Sequence, residues 1–426
     1  MNEEDDIRLK EFRQLKKEIR GSKEYLIVGI DVAKDKHYAF FGTATGKTLL
    51  RRLIFDNTNE GFRKLEVQVQ AIQVARSLPK VVYGLEPSAN YHKPLGEHLI
   101  RSGAKVVLVS GVAVKRNREL LDGRWDKHDG KDAANVADLI SQGKCLFYEY
   151  PDKRLRELRS LLSLKKKLKK QEHGYRVRIR NQLIAQYFPE LDRYSGRPEI
   201  EAIVRWCLDP SRIAELENDQ FVRLVAPVRK SQAMHRRLQS IQELAGESIG
   251  CEMGEGACLE AEVMVNGLRH IREAIKTTEA KIEEICRLFP VYACLLTIPG
   301  FGPDVSAKVL GAIGNPHRFL NQKQVLKMAG LDLSANRSGK TSETAVPIIS
   351  KQGKADLRYA LYQAALIAST RNIDFMQYYT QLLQGREKEQ GIKTKRWVKL
   401  SAKLLVIAWT LMKKEEAFDP RYFNQA

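Results

Sequence analysis

The sequence predicts an α/β domain with a mixed sheet, followed by a long region built from helices. Three observations lead there. The run Tyr25-Leu26-Ile27-Val28 enters Gly29-Ile30-Asp31 almost without a polar residue, which reads as a strand covered on both faces. Strand-like and helix-like segments then alternate to about residue 150, the pattern of a sheet flanked by helices. From Pro151 to about Pro290 the apolar residues keep helical spacing with little strand signal.

In order, residues 1–22 read as a charged helical arm leading into the first strand. Ala33–Lys36 turn the chain, His37–Phe41 extend it again, Gly42–Lys47 turn it once more, and Thr48–Phe55 form a third strand. This is a three-strand antiparallel meander with an acid on its first strand. Asn57-Thr58-Asn59-Glu60 offers a helix cap, followed by Phe62, Leu65, Val69 and Ile72 at helical spacing. Leu78-Pro79 ends that helix. Lys80–Glu86 is an apolar strand with a carboxylate at its far end, broken by Pro87 and Ser88. A helix follows from about Asn90 to Arg101, then a fifth strand over Lys105–Ser110, then a helix beginning near Gly111. From about Asp129, Ala133, Val136, Ala137 and Ile140 make one helical face. The spacing of Asp129 and Asp132 puts both on one side of its first turn.

Beyond Pro151, leucines at helical spacing run from Leu155 to Leu168 and on to Phe188. Further helical blocks cover about Asn218–Ala245 and Leu259–Leu288. Long helices joined by loops suggest an antiparallel coiled-coil arm, with an intramolecular bundle as the alternative. Leu295–Pro303 (LLTIPGFGP) resembles a helix-hairpin-helix, whose Gly300 and Gly302 free backbone N–H groups for a phosphate. Then come a helix over Lys323–Leu331, a polar loop over Asp332–Pro347, and Ile349–Gly353. A strongly amphipathic helix over Ala355–Thr370 and a last helix from about Trp397 to Lys414 close the chain. The expected organisation is an arm (1–22), an α/β domain (23–150), a helical region (151–290) and a C-terminal domain (291–426).

The 426 residues carry 72 Lys+Arg against 52 Asp+Glu, a net charge of +20. That excess favours a polyanionic partner, nucleic acid first. The charge also clusters: Pro151–Glu190 holds twelve Lys/Arg and four Asp/Glu. Cationic runs are otherwise simply solvated helix faces. The six cysteines show no CxxC pairing, so they read as small core residues in a reducing cytoplasm, without zinc. No apolar run approaches the ~20 residues of a membrane span, and the charged N-terminus is no secretory signal. The protein is expected to be cytoplasmic and to have no membrane partner.

Asp31, Glu86, Asp129 and Asp132 form the main candidate constellation. Singly, each has an ordinary reading as a turn, strand-end or helix-cap residue. In this order and this fold pattern they would meet at one edge of an RNase H-like sheet. Such a cluster of hard oxygen donors suits Mg²⁺ and phosphoryl transfer.

GIDVAKDKH, GLEPSANYH and KHDGKDAANVADL, followed by LTIPGFGPDVSAKVLGAIG, AGLDLSANRSGK and ISKQGKADLR, resemble the DEDD-type insertion-sequence transposases. That family includes bridge-RNA-guided recombinases and a pilin-gene invertase. The resemblance runs from about Tyr25 to the end, in two motif blocks with a helical insert between them. It implies a RuvC-like domain with Mg²⁺ held by Asp31, Glu86, Asp129 and Asp132, and a C-terminal transposase domain with a nucleophilic serine. By position in a Ser-Gly pair after Ala-Gly-Leu, that serine is Ser338. The usual Thr-Asp of the third motif is His128-Asp129 here.

The implied reaction is attack by Ser338 on a DNA phosphodiester, giving a phosphoserine that conserves bond energy for rejoining. Also implied are donor and target double-stranded DNA, a noncoding guide RNA, and a dimer or tetramer whose active site joins halves of different protomers. The expected nucleic-acid contacts are Lys165, Lys166, Lys167, Lys169, Lys170, Arg176, Arg180, Gly300, Gly302, Lys340 and Lys351. His37 and His92, beside two of the acids, could assist the chemistry; such residues more often pack or hydrogen-bond, and neither is placed in the site. The alternative activity is a RuvC-like, structure-specific nuclease with the same acids and no covalent serine.

Overall fold

A computed structural model describes residues 3–122, 129–226, 231–334 and 348–423. The chain divides into two compact units, Met1–Asp152 and Lys153–Ala426.

In the first unit the sequence folds as α1 (Glu3–Glu18), β1 (Tyr25–Asp31), β2 (Lys36–Thr43), β3 (Thr48–Asp56), α2 (Asn59–Arg76), β4 (Lys80–Leu85), α3 (His92–Arg101), β5 (Val106–Leu108), α4 (Gly111–Asp122), α5 (Asp129–Ser141) and β6 (Leu146–Phe147). The strands form one sheet in the order β3-β2-β1-β4-β5-β6. β1, β2 and β3 pair antiparallel as the meander expected, while β4 joins β1 in parallel. β1 is buried along its length except at Asp31, which is half-buried. Its alternate residues serve two cores. Leu26, Val28 and Ile30 pack with Leu65, Leu95 and Leu99; Tyr25 and Ile27 pack with Val82, Val136 and Ile140.

α5 lies on the second of these faces because two glycines make room for it. Gly29 and Gly84 are register partners across β1 and β4. A Cβ on Gly29 would stand 2.2 Å from Ala133 O, and one on Gly84 would stand 2.0 Å from Ile140 Cδ1. A larger side chain at Gly29 would push the helix off the sheet, and one at Gly84 would displace the Ile140 side chain.

Two features of this unit differ from the sequence reading. The charged arm is a covering helix: Leu9, Leu15 and Ile19 are buried, the last two in the core beneath α5. Its apolar stripe is narrow, so bulk charge conceals it. β6 was not expected, because two residues are too few to show a period.

The second unit contains α6 (Lys153–Arg178), a π-helical turn Ile179–Ile184, α7 (Ala185–Tyr187), α8 (Pro198–Trp206), α9 (Pro210–Ala214), α10 (Asn218–Val225), α11 (Gln232–Gly246), α12 (Glu255–Arg287), α13 (Pro290–Leu296), α14 (Pro303–Ile313), α15 (Gln322–Ala329), β7 (Leu333–Ser334), β8 (Ile348–Ile349), α16 (Ala355–Arg371), α17 (Ile373–Leu383) and α18 (Ile392–Lys414). α6 and α12 run antiparallel. Lys165 pairs with Glu279 at 2.9 Å and Glu172 with Arg272 at 3.3 Å, so seven residues forward on one helix match seven back on the other. Leu155 and Leu158 of α6 share a core with Ile282 and Ile285 of α12, and that core continues into α14, α16 and α18. The helical insert and the C-terminal segment, separated in the sequence reading, thus belong to one compact unit.

The single block expected over Asn218–Ala245 is two helices, α10 and α11, with residues 227–230 between them outside the described set. α16 is less amphipathic than expected. Leu357, Leu361, Ala364 and Ala368 are buried, yet Tyr359 and Ile367 are 66% and 46% exposed, so apolar side chains nearly ring the helix. Among the described residues no helix is long and apolar enough to cross a membrane. Cys145, Cys207 and Cys286 are buried as expected of core thiols, whereas Cys251 is exposed.

Candidate functional site

The two Gly-x-acid tripeptides, Gly29-Ile30-Asp31 and Gly84-Leu85-Glu86, lie side by side. Their glycines are register partners beneath α5, and the pairing ends one step on, at Ile30 and Leu85. Alternation along the strands puts Asp31 and Glu86 on the same sheet face as the glycines, at the C-terminal edge of both strands. α5 runs back from that edge. Its far end is held near the start of β1, where Arg20 Nε donates to Gln142 O at 2.8 Å. Asp129 opens α5 one turn before Ala133, so its backbone belongs to this edge; its side chain lies outside the described residues.

Each described carboxylate has a local setting. Glu86 extends over the first residue of α4, where a Cβ on Gly111 would meet Glu86 Oε1 at 2.8 Å. The start of a helix carries partial positive charge and suits a carboxylate. Asp132, with 3% of its side chain exposed, takes bonds on Oδ1 from Arg118 Nε at 2.8 Å and from the terminal guanidinium nitrogen at 2.6 Å. The sequence reading passed over Arg118. Its signal is the pair Asn117-Arg118 on α4 facing Asn135, Asp138 and Asp132 on α5. Among the described residues no group of three or more His, Cys, Asp and Glu is placed to hold a metal ion.

His37 and His92 both pack, as expected. His37 Nδ1 accepts from Ala33 N at 3.2 Å, and its ring lies 5.1 Å from Phe55. His92 meets Tyr148 edge-on at 6.1 Å. Burial lowers the pKa of both imidazoles, favouring the neutral form.

In the second unit, Ser338 and Lys340 lie outside the described residues. Their flanks are described: β7 and β8 pair antiparallel, Leu333 with Ile349 and Ser334 with Ile348, so residues 335–347 connect two paired strands. The base of this hairpin is tightly built. Ser350 Oγ donates to Asp332 Oδ1 at 2.5 Å, and Arg358 donates to Ala329 O at 2.9 Å. Lys351 has φ +56°, and its N–H donates to Gly330 O at 3.1 Å.

The expected nucleic-acid contacts fall into two groups. Lys165 is 12% exposed and bonded to Asp304 at 2.5 Å and Glu279 at 2.9 Å. Burial by itself would lower its pKa, but those two carboxylates outweigh it and raise the value. Lys166 pairs with Asp356, Lys169 with Glu172, and Arg180 with Asp192. Lys167, Lys170 and Arg176 are exposed. Gly300, at φ +86°, serves packing: a Cβ there would stand 2.3 Å from Ala364 O on α16. Gly302 caps α14 and has open space around its Cα.

Comparison with known proteins adds to this geometry. Residues 28–189 match a family profile described as transposase, and residues 292–380 match one described as the transposase IS116/IS110/IS902 family. The chain is 23% identical over 93% of its length to an insertion element IS110 protein of 43.6 kDa from Streptomyces coelicolor, covering 96% of that protein. It is 24% identical over 92% of its length to an insertion element IS116 protein from Streptomyces clavuligerus, covering 96% of that protein. A shorter match, 27% identical over 37% of this chain and 48% of the relative, is to a pilin gene-inverting protein from Moraxella bovis.

Proposed function

We propose, for a chain that belongs to the IS116/IS110/IS902 family of transposases, a DNA strand exchange in which Ser338 attacks a phosphodiester beside Asp31, Glu86, Asp129 and Asp132. The observation that carries the reading is the placement of Asp31 and Glu86 on one face and one edge of adjacent parallel strands, at the end where α5 begins. Carboxylate oxygens are hard donors and fit Mg²⁺. When bound there, the ion would supply charge stabilisation at the phosphate and activation of a weak hydroxyl nucleophile.

The chain's own residues carry the remaining steps. The Ser338 oxygen bonds to phosphorus and gives up its proton, while the bond from phosphorus to one deoxyribose oxygen breaks and that oxygen gains a proton. The phosphoserine keeps the phosphodiester's bond energy, so attack by a second DNA hydroxyl restores Ser338 and joins the new strand. Donor and target DNA are held in part through the basic residues of α6, with a noncoding guide RNA choosing the site. The net charge of +20 supports that part of the reading. The α6–α12 pair is the coiled-coil arm of a dimer or tetramer, supported by the exposed Leu259 and Val263 one turn apart on α12. α13, α14 and the glycines between them act as a helix-hairpin-helix.

The test is covalent trapping. Denaturing the full-length protein with donor DNA should yield a protein–DNA adduct that is absent in Ser338→Ala and reduced at least roughly 100-fold in Asp31→Asn. Strand cleavage with no adduct in the wild type would replace this reading with that of a hydrolytic nuclease. RNA that co-purifies and pairs with donor or target DNA would support the guided mode; its absence from an active preparation would remove it.

A further inference from the structure

Arg118 spends two nitrogens on one oxygen of Asp132. The contact is nearly dry, with side-chain exposures of 19% for Arg118 and 3% for Asp132. A buried carboxylate without a counter-charge is costly, and removing one member of such a pair strands the other. Arg118 is not needed merely to dock α4 on α5. That seam has its own polar contacts: Asn117 Nδ2 donates to Asn135 Oδ1 at 3.1 Å and to Asp138 Oδ2 at 2.8 Å, and Gln142 Nε2 donates to the same Asp138 oxygen at 2.8 Å. The guanidinium is therefore committed to Asp132 itself. α4 also meets Glu86 through Gly111, so one helix touches two of the acids.

We propose that Arg118 is the resident counter-charge of Asp132, a positioning residue that holds this carboxylate in place without an ion, and that a divalent cation must displace. Arg118 and the cation are then alternative partners for one buried carboxylate. The inference rests on the reading of the acidic edge as a divalent-cation site. Two consequences follow by linkage. Taking away the guanidinium weakens the ion-free fold, and it strengthens cation binding because a competing positive charge is gone.

The experiment titrates Mn²⁺ into the full-length protein by calorimetry and records thermal midpoints with and without Mn²⁺. Wild type should bind Mn²⁺ and lose that binding in Asp31→Asn. Arg118→Gln should bind Mn²⁺ roughly tenfold more tightly than wild type, melt below wild type without Mn²⁺, and recover most of the difference when saturated. Arg118→Lys, which keeps the charge, should stay close to wild type in both measurements. If Arg118→Gln is unfolded without the ion, its recovery by Mn²⁺ supports the proposal and its failure to recover overturns it. Wild-type binding that Asp31→Asn abolishes and Arg118→Gln leaves equal or weaker overturns the role of Arg118 alone. No Mn²⁺ binding in any variant would remove the cation site and this inference together.

Discussion

The acidic edge of the first unit and the β7–β8 hairpin of the second are built in opposite ways. Asp31 ends a strand paired on both sides, Glu86 directly follows β4, and each acid sits two residues beyond a glycine that seats α5. β7 and β8, which flank residues 335–347, are two residues each, and their placement comes from the contacts at their base. There Gly353 does for the hairpin what Gly29 does for the sheet. A Cβ on Gly353 would stand 2.4 Å from Gly330 N and 2.5 Å from Met328 O. One region takes its accuracy from the fold as a whole, the other from a few local contacts. Damage to the first should therefore appear as lost stability, and damage to the second as lost chemistry.

Alanine at each glycine is the largest and most direct way to break this comparison. Gly29→Ala forces a methyl group into Ala133 O and Ala137 N, and overpacking of this kind costs about 3 kcal/mol. The thermal midpoint should fall clearly, and the remaining folded protein should still form some adduct. Gly353→Ala displaces only the hairpin base and should cost about 1 kcal/mol, while reducing adduct yield out of proportion. Equal losses of thermal stability in the two variants would show that the hairpin base is part of the main core, and the contrast would be lost.

The same contrast explains what could be read in the sequence. β1, β4 and α5 declare themselves through apolar runs and a four-residue helical face, because burial on both sides leaves no choice of residue. The placement of Asp31 and Glu86 was legible for the same reason, since Asp31 ends an apolar strand and Glu86 directly follows another. β6, β7 and β8 were not legible, because two-residue strands are held by their neighbours and not by their own pattern. Arg118 was hidden among the basic residues of KRNR on α4; only its partner on α5 sets it apart. Lys165 was hidden within KKKLKK in the same way. One-dimensional charge counts cannot separate a cation that faces water from one that faces Asp304 and Glu279.

α6 therefore carries the comparison at smaller scale, between a lysine the fold uses and lysines it leaves in water. Burial alone would raise the pKa of Asp304, but hydrogen bonds from Lys165 and Lys308 outweigh it and hold the carboxyl below its ordinary value. A carboxylate with a depressed folded-state pKa adds stability that is complete above its unfolded value and lost as the pH falls through the folded one. Lys165→Met should lower stability near neutral pH by about 1 kcal/mol, a figure kept small because Asp304 is still 44% exposed. The deficit relative to wild type should shrink on acidification below the ordinary carboxylate range. Denaturant titrations at neutral and acidic pH would measure it, and a deficit that stays constant with pH would mean that packing of the lysine stem, not its charge, is what α6 and α14 use.

The smallest expected effect sharpens the contrast from the other side. Lys167 and Lys170 are exposed, so their removal strands no buried group and should leave thermal stability unchanged. If they meet DNA phosphates, each releases counterions on binding. Plotting the logarithm of DNA affinity against the logarithm of salt concentration should then give a slope shallower by about 0.9 for each lysine replaced by alanine. Lys165→Met should leave that slope as it is in wild type, because its charge is already matched by Asp304 and Glu279. The two measurements divide the run KKKLKK by what each ammonium faces: a change in stability without a change in slope for Lys165, the reverse for Lys167 and Lys170. A wild-type slope in Lys167→Ala and Lys170→Ala would assign this stretch of α6 to solvent and place the phosphate contacts elsewhere.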